Sequence, residues 1–288
     1  MQHHVKVTPE WRQWLQDALE AGNTPASLLA TMLEHQFDPQ VARETVIELT
    51  LGPSATDGAP AQVAHYTSDI VRLPEGNVIH TPDRDVRVLV RLSRPVVAVF
   101  DQVLNERECE TFRQMAANRL VRSKVVESGS GRHTVMDYRT SDGAYFSPNE
   151  SDFITRLERR VAALMNWPAA NGEGFQVMRY GVGGEYRPHY DYFVPSDSGS
   201  ALHLKQGGQR VSTLIIYLND VEEGGETLFP AINFSYVPRK GQALYFEYCN
   251  KAGALDPLTL HGGAAVKRGE KWIATQWMRQ NEFKRTPD

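Results

Sequence analysis

His189 and Asp191 lie two positions apart in YGVGGEYRPHYDYF, a stretch rich in strand-forming residues. On an extended strand alternate side chains share a face, so this imidazole and this carboxylate aim at one spot. Such a pair also suits an ordinary structural hydrogen bond. His261, in LTLHGGAAVKRGEKW, would complete two imidazoles and one carboxylate. That donor set grips a divalent iron by one face and leaves positions open for a bidentate 2-oxoacid and dioxygen. A structural zinc would instead fill its shell with protein ligands, and neither Cys109 nor Cys249 is close in sequence to these histidines. Lys271 follows His261 by an even step of ten residues, which along an extended segment leaves both facing inward. As a buried lysine it would need an anionic partner such as a cosubstrate carboxylate; as an ordinary lysine it would be solvated.

Strands must hold these residues, and the sequence supplies them. Val86 to Val99 alternates and then runs β-branched. From residue 175 onward FQVMRY, RVSTLIIYLND, ALYFEY and KWIATQWMR read as strands separated by glycine-rich turns. Asn105 to Leu120 and Ser151 to Met165 carry helical spacing. The first fifty residues repeat one start signal, a capping residue followed by proline, at Thr8-Pro9, Thr24-Pro25 and Asp38-Pro39. Three short helices follow, with apolar stripes at Trp11, Trp14, Leu15, Ala18 and Leu19, at Leu28, Leu29, Met32 and Leu33, and at Ala42, Val46 and Leu49; Gly22 and Gly52 supply stops. Both Trp11 and Trp14 are expected to be buried. GPSATDGAPAQVAHY lacks periodicity and reads as a linker. The expected organisation is a helical module over 1–52, a linker over 53–68 and a β-rich domain over 69–288. The module either packs against the rest or recruits a partner.

The 288 residues carry 31 Lys+Arg against 35 Asp+Glu, a net charge of −4, with 41% hydrophobic residues. That composition suits an ordinary globular protein and argues against nucleic acid as a partner, since no basic stripe is present. No apolar run approaches a membrane span, the first residues lack a signal peptide's apolar stretch, and two cysteines make no disulfide framework. The expectation is a cytoplasmic protein with no membrane partner. GVGGEY precedes a strand rather than a helix, which disfavours a dinucleotide loop, and DVEEGGE lacks EF-hand ligand spacing. ESGSGRHT (127–134) and VPSDSGSALHLKQGGQ (194–209) read as mobile lids, with His203 solvated in the second.

Taken together, PVVAVFDQVLNERECE, RLVRSKVV, YRTSDGAYF, FQVMRYGVGGEYRPHYDYF, GGQRVSTLIIYLNDVEEGGETLFP and LHGGAAVKRGEKWIATQWMR resemble the prolyl 4-hydroxylase branch of the 2-oxoglutarate- and Fe(II)-dependent dioxygenases, over residues 95 to 280. The resemblance implies a mainly β fold, a double-stranded β-helix (jelly-roll) core with flanking helices. It implies His189, Asp191 and His261 as iron ligands. Lys271, with Tyr180 and Thr213, would bind 2-oxoglutarate, Tyr217 being a reserve candidate on the parity of Thr213. Arg139, Tyr186 and Trp277 would position a prolyl residue of a peptide or protein. The two hydroxyl-bearing strand residues, Tyr180 and Thr213, fit ordinary barrel packing as well, and Arg139 fits a surface ion pair. The implied reaction is C4 hydroxylation of proline with Fe(II), 2-oxoglutarate and O2, with L-ascorbate as reductant and succinate and CO2 as coproducts. Alternatives are hydroxylation of a free amino acid or other small molecule, and a noncatalytic protein sensing 2-oxoglutarate or oxygen. Asp191 argues against halogenation, where the resembled enzymes lack that carboxylate.

Overall fold

Capping residues before proline start the first helices, as their spacing predicts. Helix α1 (Pro9–Glu20) follows Thr8, whose Oγ1 accepts from Trp11 N, and α2 (Pro25–Glu34) follows Thr24, whose hydroxyl accepts from Ser27 N. Asp38 Oδ1 accepts from Val41 N, and residues 41–42, 45–46 and 49–50 are helical. The structure, a computed structural model, describes residues 7–20, 23–38, 41–42, 45–46, 49–50, 66, 71–122, 125–126, 133–134, 140–194 and 199–284. The helix stops at Gly22 and Gly52, most of the linker and both expected boundaries lie outside the described residues. The chain divides into two units, residues 1–65 with 230–234 and residues 66–229 with 235–288.

In the first unit Leu15, Leu28, Met32, Phe37, Ala42 and Val46 form one apolar core. The two tryptophans behave differently from expectation. Trp11 is half-buried among the rings of Trp14, His35 and Phe37, each about 5 Å away, but Trp14 is 47% exposed. Leu15 occupies the inward stripe, and its neighbour Trp14 lies about 100° around the helix, edge-on to the Trp11 ring at 5.4 Å.

The second unit is built on a nine-stranded antiparallel sheet. Its strands are β1 (Val78–His80), β2 (Asp85–Ser93), β3 (Val96–Asp101), β4 (Val121–Arg122), β5 (Asp142–Phe146), β6 (Gly172–Tyr180), β8 (Arg210–Tyr217), β10 (Ala243–Glu247) and β12 (Lys271–Arg279). The spatial order is β1-β2-β3-β10-β8-β12-β6-β5-β4. A smaller sheet places β11 (His261–Gly263) between β7 (Tyr186–His189) and β9 (Thr227–Phe229). Strands leave one sheet for the other and return, the jelly-roll arrangement expected from the resemblance.

Strands β3, β8, β10 and β12 are covered on both faces; β3 and β10 are nearly continuous apolar runs, while β8 and β12 carry polar side chains into the interior. Outside the barrel, helix α3 (Glu106–Ala117) lies against β5, and α4 (Asp152–Met165) against β6 and β8. Asn105 and Glu108 form a capping box on α3. Arg160 of α4 is buried and satisfied throughout: its guanidinium donates to Asp83, to Glu108 and to Val103 O. That ion pair joins α4 to the start of α3 and to the β1–β2 turn, so the outer wall of the barrel is fixed.

Candidate metal centre

Strands β7 and β11 are antiparallel neighbours with His189 opposite His261 and Tyr186 opposite Gly263. This register sets the two imidazole centroids 4.5 Å apart. Strand β7 ends at His189, so Asp191 stands in the bend beyond it rather than on the strand, yet its carboxylate turns toward both rings. Asp191 Oδ1 lies 3.6 Å from His189 Nε2, and Oδ2 lies 3.6 Å from His261 Nε2. One donor atom from each residue falls within 4.8 Å of the other two.

Each ring is oriented by its far nitrogen. His189 Nδ1 is 2.9 Å from Arg187 O and His261 Nδ1 is 3.0 Å from Thr259 O. A carbonyl only accepts, so Nδ1 carries the proton in both and Nε2 presents its lone pair inward. Burial pushes His261 down to about 4, against the attraction of Asp191, so its imidazole is neutral at neutral pH. Burial alone would raise Asp191, but His261, His189 and Arg210 outweigh it and hold the carboxyl well below the usual range. Neutral nitrogens and an ionised carboxylate are what a divalent cation requires of its ligands, and two imidazoles with one carboxylate fit iron(II).

Lys271 sits on β12 opposite Tyr180 of β6. Lys271 and His261 lie on different strands, β12 and β11, which belong to different sheets. Only 4% of Lys271 is exposed, and its Nζ lies 5.8 Å from the Tyr180 ring and 5.9 Å from that of Tyr217. A methyl group at Gly263, two residues past His261, would stand 3.5 Å from Nζ, so the ammonium reaches the strand that carries the histidine. Burial pushes this amine down to about 8, a shift that Glu226 only partly opposes. Among the described residues no carboxylate pairs with Nζ within 4.0 Å.

The remaining expected site residues are distributed unevenly. Tyr186 stacks on His189 at 3.6 Å and 21°. Trp277 lies under the Arg210 guanidinium at 4.2 Å, and its indole nitrogen is buried without a hydrogen-bond partner among the described residues. Arg139 lies outside the described residues. Thr213 is not beside Lys271. It pairs with Trp277 across β8 and β12, six residues along from Lys271, roughly 20 Å at ~3.3 Å per residue. Its hydroxyl instead donates to Asp191 Oδ2 at 2.7 Å. Near Lys271 the hydroxyl pair is Tyr217 with Thr227, 2.7 Å apart and buried.

Sequence reasoning missed a buried charge network behind the metal donors. Arg210 donates twice to Glu173, at 2.7 and 2.8 Å, and once to Asp191 O at 3.1 Å, while Arg279 Nε lies 2.8 Å from the same Glu173. The two guanidiniums hold Glu173 below the usual carboxylate range although burial opposes them. A signal was present: Arg210 and Arg279 pair directly on adjacent strands, and facing cations call for an acid on the next one. Arg279 also donates to Gly208 O and His203 O, and Gln209 exchanges hydrogen bonds with the backbone of Phe193. Residues 199–209, expected as part of a mobile lid, are thus tied to the last strand, and His203 stacks on Phe193 instead of being solvated. Residues 127–132 of the other expected lid lie outside the described residues.

Comparison with known proteins adds the family. The model of the 2OG-Fe(II) oxygenase superfamily matches residues 175–279, from β6 through β12, including every metal donor and Lys271. The probable prolyl 4-hydroxylase 3 of Arabidopsis thaliana is 40% identical over 209 residues, covering 66% of this chain and 71% of that relative. Prolyl 4-hydroxylase 1 of the same plant is 39% identical over 201 residues, 65% of this chain and 69% of the relative. A solved structure of a viral collagen prolyl hydroxylase from Paramecium Bursaria Chlorella virus-1, in a 2OG complex, is 29% identical with a TM-score of 0.51, covering 64% of this chain and 95% of that one. With the jelly roll, the inward-facing two-histidine and one-carboxylate set and these relatives in agreement, the chain belongs to the prolyl 4-hydroxylase family of 2-oxoglutarate- and Fe(II)-dependent oxygenases.

Proposed function

We propose that this enzyme hydroxylates C4 of a prolyl residue in a peptide or protein, consuming O2 and 2-oxoglutarate and releasing succinate and CO2. The observation that carries this reading is the convergence of His189, Asp191 and His261 on one point inside the barrel. These three side chains would hold Fe(II), which when bound supplies the activation of dioxygen that couples 2-oxoglutarate decarboxylation to C–H oxidation. Lys271 supplies a fixed, desolvated cation for the distal carboxylate of 2-oxoglutarate, and Gly225 and Gly263 leave room beside its side chain. The Tyr217–Thr227 hydroxyl pair and Tyr180 flank the same end of the barrel, beside the ammonium. Phe229 and Phe246 pack on the His261 ring at 5.6 and 4.5 Å and keep water from that side.

Tyr186, stacked on a metal donor, and Trp277 offer flat apolar walls suited to a pyrrolidine ring, and Arg139 is assigned to a peptide carbonyl. L-Ascorbate serves as reductant. A substrate of protein or peptide rather than nucleic acid agrees with the net charge of −4. Cys109 and Cys249 are both free thiols, in keeping with a cytoplasmic setting, and no helix among the described residues is long and apolar enough to cross a membrane. Residues 1–52 are proposed as a packing module, joined by a linker over 53–68 to the catalytic domain over 69–288.

The test is incubation with Fe(II), ascorbate, 2-oxoglutarate and either proline-containing peptides or free amino acids, read by mass spectrometry. A gain of one oxygen on a peptide proline is expected. Oxygen on free amino acids alone would move the substrate to small molecules, and 2-oxoglutarate binding without succinate formation would make the chain a sensor.

A further inference from the structure

We infer that Thr213 and Tyr248 form a positioning relay that fixes the orientation of the Asp191 carboxylate between the two donor histidines. Thr213 Oγ1 donates to Asp191 Oδ2 at 2.7 Å and is 3.0 Å from Tyr248 Oη; Thr213 and Tyr248 are fully buried. The direction of the chain is fixed by chemistry. An ionised carboxylate can only accept, so the single Thr213 proton goes to Asp191, and Tyr248 must donate to Thr213. The phenol keeps that proton because burial pushes its ionisation well above the ordinary range. Each O–H polarises the next, which strengthens the bond that ends on Oδ2.

The consequence lies in how the carboxylate is presented. Oδ2 accepts the short Thr213 hydrogen bond while lying 3.6 Å from His261 Nε2, and Oδ1 lies 3.6 Å from His189 Nε2, so each oxygen faces one imidazole. Loss of the Thr213 hydroxyl would leave the carboxylate free to rotate out of this presentation, which would loosen the donor set. Thr213 pairs with Trp277 on β12 and with Phe246 on β10, so the paired strands that set this hydroxyl also carry a ring packed on His261. The family resemblance assigned Thr213 to the cosubstrate, and nothing in the sequence signalled that its partner would be Asp191.

This inference rests on the metal assignment, and the experiment separates the two. Metal affinity of the apoprotein is titrated with Co(II), read by its visible absorption, for wild type, Thr213→Val, Thr213→Ser, Tyr248→Phe and His189→Ala. Oxygen and 2-oxoglutarate dependence are measured on the iron-loaded proteins. Thr213→Val is expected to weaken Co(II) binding about 10- to 100-fold, the range for residues that orient metal ligands. It should alter the absorption bands and lower turnover with KM for 2-oxoglutarate little changed, since Lys271 is untouched. Thr213→Ser should return most of the affinity and the wild-type bands, and Tyr248→Phe should fall between. Binding and bands unchanged in folded Thr213→Val overturn the relay. Should that variant not fold, wild-type bands and affinity in Tyr248→Phe overturn it instead. Wild type and His189→Ala binding Co(II) equally would refute the metal site itself.

Discussion

Replacing Lys271 by methionine tests the cosubstrate end of the site. Methionine keeps most of the side-chain volume between the Tyr180 and Tyr217 rings and removes only the charge. The ammonium is 4% exposed and has no carboxylate of its own within ion-pair distance among the described residues. A 2-oxoglutarate carboxylate bound beside methionine would therefore lie buried and unpaired. Breaking a buried ion pair by removing one partner costs about 3–5 kcal/mol. At ~1.4 kcal/mol per tenfold, KM for 2-oxoglutarate should rise by roughly two to three and a half orders of magnitude. The assay is succinate formation against 2-oxoglutarate concentration, with Co(II) titration showing that the metal site is intact. The wild-type pH profile gives a second reading. Burial lowers the free amine to about 8, and the cosubstrate needs the protonated form, so KM should be flat below about pH 7 and climb about tenfold per pH unit above 8. A KM within threefold of wild type in Lys271→Met, or one independent of pH up to 9.5, would refute the assignment of this lysine.

Alanine at His189 or His261 should abolish Fe(II)-dependent turnover while circular dichroism stays native; near-native rates at limiting iron would count against the metal centre. Glu173→Ala leaves the Arg210 and Arg279 guanidiniums buried together without their shared carboxylate, and denaturant unfolding should show a loss of about 3–5 kcal/mol. A loss under 1 kcal/mol would mean that solvent reaches the pair. Deletion of residues 1–52 should lower stability yet leave short-peptide hydroxylation by the folded fraction. Equal stability with selective loss of protein-substrate turnover would make the module a recruiting element instead.

Strand and helix positions were legible in the sequence because each segment carried a period and a punctuation mark. Ser151 caps α4, Asn105 caps α3, and β8 and β12 follow their β-branched runs. The metal donors were legible from residue type and spacing, although Asp191 reaches His189 from the bend beyond β7 rather than by strand alternation. What periodicity cannot report is the residue on the other side of a barrel. Thr213 is buried in its strand, but whether its hydroxyl meets a cosubstrate or a metal ligand depends on how two sheets close over each other. The same limit hid Glu173: the facing arginines implied an acid, but only the β6–β12 pairing says which. It also misplaced Trp14, whose stripe predicted burial although Leu15 takes the fully buried position and the neighbouring indole stays 47% exposed. Local pattern thus determines which side chains enter an interior, and tertiary closure determines which of them meet. In this enzyme the chemistry that identifies the family is of the first kind, while the hydrogen bond that tunes Asp191 is of the second.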